Sequence, residues 1–409
     1  MTTVPTLRCG VVGAGRFAAF VAHAVADLSD VRLVAVADVD EVRARRLAER
    51  LGARTAGRWQ DLLTDPEVDA LVVATPPVSH AEVTLAALAA GRHVFCEKPL
   101  TIDPYDATRV SEAAVRSGRV LVVDHVLRYN PVLRAVERLR PLLGEVRRLA
   151  FENDASDEDL PPGHWFWDEG RSGGIFVEHG VHFFDAAHLL MGSVPDAVQA
   201  MTARRPGSDI VDLAVATTRH PGGALATFAH SFTHSHRCER QLMRLDFGAA
   251  EARISGWIPV HALLDVWTHD TGVAEVEGLP DRAADLLHVD GHRLDGRAAI
   301  RVSVRRHAGP AAARGRGLAL TIPHRACVEI DLGGEPAKPR VYAESVRAAM
   351  ADLARCASSG AAPAAGSVEG WASVVVAAAA RESAHQGRTI HVETVRRTAA
   401  GAPEPARSA

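Results

Sequence analysis

The chain is poor in cysteine, and the cysteines that it has are not arranged as pairs. Five are scattered over 409 residues, and none belongs to a CxxC motif. This spacing argues against a disulfide framework and against a structural zinc site. Free thiols are typical of a reducing compartment, so we expect a cytoplasmic protein.

Long hydrophobic runs are also missing. The longest apolar run spans 371–380, and it is far shorter than the ~20 residues that a membrane-spanning helix needs. The N-terminus lacks the basic stretch, apolar core and cleavage site of a secretory signal. We therefore expect a protein with no membrane partner.

The chain carries no excess of positive charge. Its formal net charge is -4, which argues against nucleic acid as a main partner. The most basic stretch, 301–317, has no aromatic residues that could stack on bases, and we interpret it as a solvated hairpin and loop. No nucleic-acid partner is therefore expected.

Strand and helix patterns alternate over the first third of the chain. The predicted strands are LRCGVV, VRLVAVAD, DALVVAT, HVFCEKP and RVLVVDH, and helical patterns separate them. This alternation is typical of a doubly wound parallel sheet with helices on both faces. Because 409 residues favour two domains, we predict an α/β Rossmann domain over 1–127, followed by a second domain.

The pattern changes at Arg128. From 128 to 393 an alternation of polar and apolar residues predominates, which predicts an α+β domain with a mostly antiparallel sheet. The exception is 174–192, which is predicted to form one long helix. The last residues, 394–409, are small and unpatterned, and a disordered tail is predicted there.

A glycine-rich turn follows the first predicted strand and opens a helix. Gly13 permits the tight turn, Gly15 lets a diphosphate approach the backbone, and Ala18 allows the helix to pack closely on the strand. The N-terminus of that helix offers unpaired N–H groups to phosphate. The strand–turn–helix context therefore predicts a dinucleotide site.

An aspartate at the end of the second strand supports this site. Asp38 follows the turn by roughly the ~20 residues at which an acidic residue binds the adenosine ribose, and its charge would repel the 2′-phosphate of NADP. We predict NAD as the cofactor rather than NADP. The other expected cofactor contacts lie in the turn or at strand ends: Arg16, Phe17, Thr75, Pro76, His80, Glu97 and Lys98. His80 is also expected to begin a helix.

A lysine and a histidine stand where they could handle the proton of an alcohol. Lys98 ends a strand in the expected crevice, where burying an unpaired ammonium is costly. Glu178 and His182 are four residues apart and share one helix face. Asp185 is expected to lie beneath His182, to fix its tautomer and to raise its pKa. No metal site is expected, because His179 falls on another face of the helix.

Together these motifs resemble the glucose–fructose oxidoreductase, inositol dehydrogenase and MocA (Gfo/Idh/MocA) family of oxidoreductases. The resemblance extends from Leu7 to about Val392, and VVDHVLRYNP at 122–131 is similar to the segment that leads into the family's second domain. The glycine turn and EKP at 97–99 match. The last motif matches at Gly173, Gly174, Gly180, His182 and Asp185.

The resemblance implies that Lys98 and His182 form the catalytic pair. It also implies a large open sheet in the second domain, used for binding a sugar-like substrate and for contacts in a homodimer or homotetramer. Glu178 departs from the family, which usually has Asp there. The extra methylene moves the carboxylate by ~1.5 Å, a distance that matters in a pre-organised site.

The predicted reaction is hydride transfer between a nicotinamide and a secondary alcohol or ketone of a sugar, polyol or related cyclic substrate. Trp165 and Trp167 are expected either to stack on a sugar ring or to anchor the core. The further candidates for substrate contact are charged or polar: Arg128, Asp185 and His236, together with Asp168 and Arg171.

Two other functions stay open at this point. One is a glycosidase of the same fold that oxidises and re-reduces its sugar with bound NAD. The other is a catalytically silent regulatory protein that binds the dinucleotide. The presence of Lys98 and His182 argues against the silent protein.

Overall fold

The structure is a computed structural model that describes residues 6–157, 159–291, 299–306, 312–315 and 318–399. Its N-terminal part is a six-stranded, wholly parallel sheet in the order β3-β2-β1-β4-β5-β6. The strands are β1 (Leu7–Val12), β2 (Val31–Ala37), β3 (Arg54–Thr55), β4 (Ala70–Val73), β5 (His93–Cys96) and β6 (Leu121–Val123). This arrangement confirms the predicted Rossmann fold.

Five helices connect these strands: α1 (Arg16–Ala24), α2 (Glu41–Leu51), α3 (Asp61–Thr64), α4 (His80–Ala89) and α5 (Pro104–Ser117). Local sequence sets the ends of α5. The Asp103 side chain accepts the N–H of Tyr105, Pro104 occupies the first helical position, and Gly118 ends the helix in the left-handed conformation.

The second part is built on a ten-stranded sheet in the order β14-β17-β13-β12-β11-β7-β10-β9-β8-β18. Its neighbouring strands are antiparallel except for the parallel pair β7 and β10, which confirms the predicted α+β class. The strands are β7 (Arg148–Asp154), β8 (Ala197–Arg204), β9 (Val211–Arg219), β10 (Leu225–Ser231), β11 (Arg240–Asp246), β12 (Ala250–Ser255), β13 (His261–Thr268), β14 (Ile300–Arg305), β17 (His324–Asp331) and β18 (Ile390–His391). A separate ribbon consists of β15 (Ala312–Gly315) and β16 (Leu318–Thr321).

In the described residues, ten α-helices accompany this sheet: α6 (Pro131–Arg138), α7 (Arg140–Leu143), α8 (Glu169–Ser172), α9 (Ile175–Glu178), α10 (Gly180–Met191), α11 (Asp270–Glu277), α12 (Ala283–Leu287), α13 (Lys338–Ser359), α14 (Ser367–Gln386) and α15 (Val392–Ala399). The single helix predicted over 174–192 is wrong, because the chain breaks it at His179 into α9 and α10. The tail prediction is corrected for residues 394–399, which belong to α15, and 400–409 lie outside the described residues.

The C-terminal helices connect the two parts. Helix α14 packs on α5 and β6 on one side and on α10 and β8 on the other. The packing on β6 is close, because a Cβ added to Gly370 would lie 2.7 Å from the Val123 side chain. On α13, Arg347 forms a 2.7 Å ion pair with Asp27 beyond α1. These contacts fix the relative position of the two sheets and so define the crevice between them.

No helix in the described ranges is long and apolar enough to cross a lipid bilayer.

Candidate active site

The glycine turn has the shape that a diphosphate needs. Gly13 has a φ of 93°, and a Cβ there would lie only 2.6 Å from the carbonyl oxygen of Ala74. Beside Gly15, in contrast, the space is open for 4 Å. Ala18 is buried in the core. The turn therefore presents an uncovered backbone and the N-terminus of α1 to a phosphate group.

The carboxylate of Asp38 is aimed at this turn. Its Oδ2 accepts the N–H of Ala14 at 2.5 Å, and its Oδ1 accepts the N–H of Asp40 at 2.7 Å. These bonds hold the acidic group at the carboxyl end of β2, where an adenosine ribose binds in this fold. The next side chain, Val39, is fully exposed, so apolar surface is available to an adenine ring.

Four of the residues predicted to contact the cofactor lie in the glycine turn or just after β4. Arg16 and Pro76 are exposed, and Phe17 and Thr75 are half-buried; the Oγ1 of Thr75 has no hydrogen-bond partner. His80 begins α4, as predicted.

The ring nitrogens of His80 lie 2.7 Å from the carbonyl oxygen of Pro99 and 2.8 Å from that of Thr75. The imidazole is therefore buried and connects two loops of the crevice, and its contact with the cofactor stays a prediction.

Lys98 crosses the crevice to the second domain. Its Nζ donates to the Glu178 carboxylate at 2.7 Å and to the Glu178 carbonyl oxygen at 3.0 Å. Both side chains are only 12% exposed. Burial pulls the pKa of Lys98 down, but the charges of Glu178 and Glu97 outweigh this effect, and the pKa is raised. The ammonium therefore stays protonated at neutral pH.

Two glycines and the break at His179 make this contact possible. Gly173 and Gly174 have φ values of 83° and 79°, a conformation that glycine adopts without strain. They turn the chain into α9, which ends at Glu178. Because the helix ends there, the Glu178 carbonyl is available to Lys98.

His182 lies in the same region of the crevice. Burial, followed by the positive charge of Lys98, lowers its pKa well below the usual value. Its Nδ1 is buried without a hydrogen-bond partner. The expectation that Asp185 raises the pKa of His182 is therefore wrong, because burial and the Lys98 ammonium both favour the neutral imidazole.

The Asp185 carboxylate is instead paired with Arg128. The Nε of Arg128 lies 2.8 Å from both carboxylate oxygens, and Asp185 is completely buried. The pair connects the turn Val126–Tyr129 to α10. This ion pair gives both residues a structural role, and their expected contacts with the substrate stay predictions.

The other residues predicted to contact the substrate differ in their burial and in their contacts. Trp167 donates its Nε1 to the carbonyl of Leu160 at 3.0 Å, and the Arg205 guanidinium covers its ring at 5.6 Å. These contacts identify Trp167 as an anchor of the loop. Trp165 is half-buried, and His236, like Asp168 and Arg171, is exposed.

One residue of the crevice was missed by sequence reasoning. Asp124 directly follows β6, its side chain is 2% exposed, and its Oδ1 has no partner. Burial raises its pKa to about 7, against the opposing effect of Lys98. The rule that ligands bind at the carboxyl ends of parallel strands would have identified it.

Within the described part of the chain, no group of three or more His, Cys, Asp or Glu residues is arranged to hold a metal ion.

The sequence matches a known family in both parts. Residues 7–125 match the profile described as "Oxidoreductase family, NAD-binding Rossmann fold", and residues 141–248 match that of the "GFO/IDH/MocA C-terminal domain".

Among curated relatives, myo-inositol 2-dehydrogenase of Thermotoga maritima is 32% identical over 55% of this chain and 68% of its own length. A dTDP-3,4-didehydro-2,6-dideoxy-α-D-glucose 3-reductase of Actinomadura kijaniata is 31% identical over 58% of this chain and 74% of its own.

Solved structures share the fold over nearly the whole chain. A levoglucosan dehydrogenase bound to NADH and levoglucosan has a TM-score of 0.73 at 17% identity, and the match covers 94% of this chain and 99% of that one. A putative myo-inositol dehydrogenase from Sinorhizobium meliloti has a TM-score of 0.67 at 22% identity, and 95% of this chain and all of that one are covered.

Proposed function

Because the chain belongs to the Gfo/Idh/MocA family of NAD-binding oxidoreductases, we propose that it is a dehydrogenase of sugar-like cyclic alcohols. It moves hydride between NAD and a secondary alcohol or ketone of a polyol, inositol or sugar. The observation that carries this proposal is the buried Lys98 ammonium, held by Glu178 beside the neutral imidazole of His182.

The bound nicotinamide supplies the hydride acceptor, and side chains of this chain handle the oxygen and the proton. Lys98 keeps its charge and donates a hydrogen bond to the substrate oxygen as negative charge develops on it. His182 is neutral, so its imidazole is free to accept the hydroxyl proton. Glu178 holds Lys98 in place, because two of the ammonium's three hydrogens point to it.

The names of the relatives support the substrate class. The Thermotoga relative is named for myo-inositol and the Actinomadura relative for a keto sugar. Both compounds carry a hydroxyl or keto group on a ring carbon, and hydride transfer interconverts these two groups. We also propose that Trp165, which is half-buried in the turn Trp165–Trp167 ahead of α8, stacks its ring on such a substrate.

We also propose that the uncovered face of the ten-stranded sheet joins subunits in a homodimer or homotetramer. Among the described residues, four apolar side chains are exposed on its strands, Met201, Val215, Leu225 and Trp267, and Met201 pairs with Val215 across β8 and β9. Exposed apolar surface of this kind is typical of a protein interface. Light scattering of wild type and of Met201→Arg tests this, since the charge should dissociate the oligomer.

The activity is tested by absorbance at 340 nm with NAD and a panel of inositols, sugars and sugar acids. Lys98→Met and His182→Ala are expected to lose turnover while they keep NADH binding. The chain has only one other lysine, Lys338, which lies on α13 and provides the matched control Lys338→Met. Near wild-type turnover in the Lys98 and His182 variants would contradict the assignment. Release of nitrophenol from aryl glycosides would instead indicate the glycosidase.

A further inference from the structure

The crevice holds more acidic groups than basic ones. Lys98 contributes one positive charge, and Glu178 already pairs with it at 2.7 Å. Two further carboxyl groups, of Glu97 and Asp124, lie close enough to Lys98 to feel its charge. Among the described residues, neither of them forms an ion pair of its own. If all four groups were ionised, the crevice would hold one cation, Lys98, and three carboxylate anions.

The backbone places Glu97 and Asp124 side by side. Cys96 pairs with Val123 across β5 and β6, and the N–H of Asp124 donates to the Cys96 carbonyl at 2.9 Å. Glu97 and Asp124 therefore follow neighbouring parallel strands at the same edge of the sheet. Within the described part of the chain, the Glu97 carboxyl accepts only the N–H of Lys98, at 2.6 Å, and the Oδ1 of Asp124 is buried without a partner.

Protonation of these carboxyl groups reduces the excess negative charge. Burial raises the pKa of Glu97 well above its usual range and that of Asp124 to about 7, since a buried carboxylate without a cation is costly. The titratable or charged groups that face this pair are Lys98 and Cys96 at β5, Glu178 on α9, Tyr129 in the turn after β6, and Tyr342 on α13. Only Lys98 among them is a cation.

The edge of the sheet at which these carboxyls lie is the edge where an NAD-binding fold receives its ligand. The two forms of the cofactor differ there by one charge, because the nicotinamide ring is cationic in NAD+ and neutral in NADH. The oxidised ring would thus supply the positive charge that the crevice lacks, and the reduced ring would not.

We propose that Glu97 and Asp124 form a charge-matching pair for the nicotinamide, which gives up a proton when NAD+ binds and keeps it when NADH binds. The proposal rests on the proposed function and adds a redox-linked proton site to it. Charge is balanced in each form: a carboxylate faces the cationic ring, and a neutral carboxyl faces the neutral ring.

The linkage has a definite sign. NAD+ prefers the deprotonated pair, so its affinity rises with pH while the free protein still carries the proton, by up to tenfold per pH unit for one proton. With Asp124 titrating at about 7 in the free protein, the rise should occur below about pH 7 and level off above it. The affinity for NADH should change little over the same range.

Isothermal titration calorimetry with NAD+ and with NADH, between pH 6.0 and 8.5 and in two buffers of different ionisation enthalpy, counts the protons. We expect release approaching one proton for NAD+ at the acid end, and almost none for NADH. Asp124→Asn should abolish the release and weaken NAD+ relative to NADH. Asp106→Asn, at a half-buried aspartate of α5 that pairs with Arg109, serves as the control and should behave as wild type.

The wild-type measurement decides the matter even if Asp124→Asn fails to fold. If both cofactor forms bind with equal proton counts and a pH-independent affinity ratio, the charge-matching pair is refuted while the dehydrogenase proposal survives. If neither form binds, both proposals are refuted.

Discussion

At the scale of single residues, the site depends on one lysine in a chain that otherwise uses arginine. Only Lys98 and Lys338 occur among its 409 residues. An ammonium is a compact point charge with three donors, whereas a guanidinium is planar and larger. Lys98 uses two donors on Glu178, and we propose that the third binds the substrate oxygen. Glu178, which stands where the family usually has Asp, reaches Lys98 directly.

Glu178→Gln should lower kcat/KM by about 100-fold, because a misplaced catalytic group costs about that much. Glu178→Asp should lose less, since the charge remains and only the reach is shortened. Steady-state kinetics with NADH affinity measured in parallel tests this, with the exposed Glu49→Gln on α2 as the control. Equal activity in the Gln variant and the wild type would show that Glu178 does not hold Lys98 for catalysis.

A second prediction concerns Asp38, whose carboxylate faces the glycine turn. Asp38→Asn keeps the size of the side chain but removes the charge that repels a 2′-phosphate. We expect NAD+ to bind about tenfold more weakly, the equivalent of ~1.4 kcal/mol, and NADP+ to bind more tightly than to wild type. Fluorescence titrations with both cofactors give the ratio, and an unchanged preference for NAD+ would disprove the role.

At the scale of elements, the decisive feature is the break between α9 and α10. The apolar spacing over 174–192 is that of one helix, but α9 ends after four residues at Glu178, whose carbonyl accepts a hydrogen bond from Lys98. Helix α10 then starts at Gly180 and carries His182. The break places a carbonyl and a carboxylate on Lys98, an arrangement that an unbroken helix would not allow.

Gly173→Ala should therefore impair the active site indirectly, by displacing α9. Its φ is 83°, and the new Cβ would meet the Val177 side chain at 2.7 Å, so α9 has to move. We expect a large loss of kcat with NADH binding retained. Gly360→Ala is the matched control, because it has a φ of 72° with nothing within 4 Å of its Cβ and shares only the backbone strain. Similar losses in both variants would contradict the role of α9.

At the scale of the whole molecule, the second domain and its crevice hold five histidines whose pKa is lowered by burial. Burial is the largest cause of the lowered pKa of each. The pKa falls to about 3 for His179 and about 4 for His220, and well below the usual value for His182, His188 and His230. The folded protein therefore favours the neutral form of each of these imidazoles.

The fold should consequently be sensitive to acid. The unfolded chain takes up protons at these histidines as the pH falls below about 6.5, while the folded protein does not, so each removes about 1.4 kcal/mol of stability per pH unit. Glu97 and Asp124 act in the opposite direction, because their raised pKa favours the folded state at acid pH, but the histidines outnumber them. We expect a clearly lower melting temperature at pH 5.5 than at pH 7.5.

His230→Phe provides the matched variant for this experiment. Neither ring nitrogen of His230 has a hydrogen-bond partner, and its neighbours include Phe151, Phe183 and Phe184. Phenylalanine should keep the packing and remove one acid-labile group. A melting temperature that depends on pH as steeply as in wild type would contradict the explanation.

Several features of this protein depend on local sequence, and the sequence alone was sufficient to predict them. The parallel sheet follows from alternating strand and helix patterns, the diphosphate turn from Gly13 and Gly15, and the family from three short motifs. Each depends on residues that are neighbours in the chain, because periodicity and turn chemistry act over a few residues.

The tertiary structure alone decided how the side chains pair. Arg128 and Asp185 are 57 residues apart and Lys98 and Glu178 are 80 apart, so their partners could not be read from spacing. The protonation of His182 and Asp124 depends on burial and on charges from several elements, which exist only once the chain has folded. The sequence by itself therefore determined the local structure, whereas tertiary packing decided the ion pairs and the protonation states in the crevice.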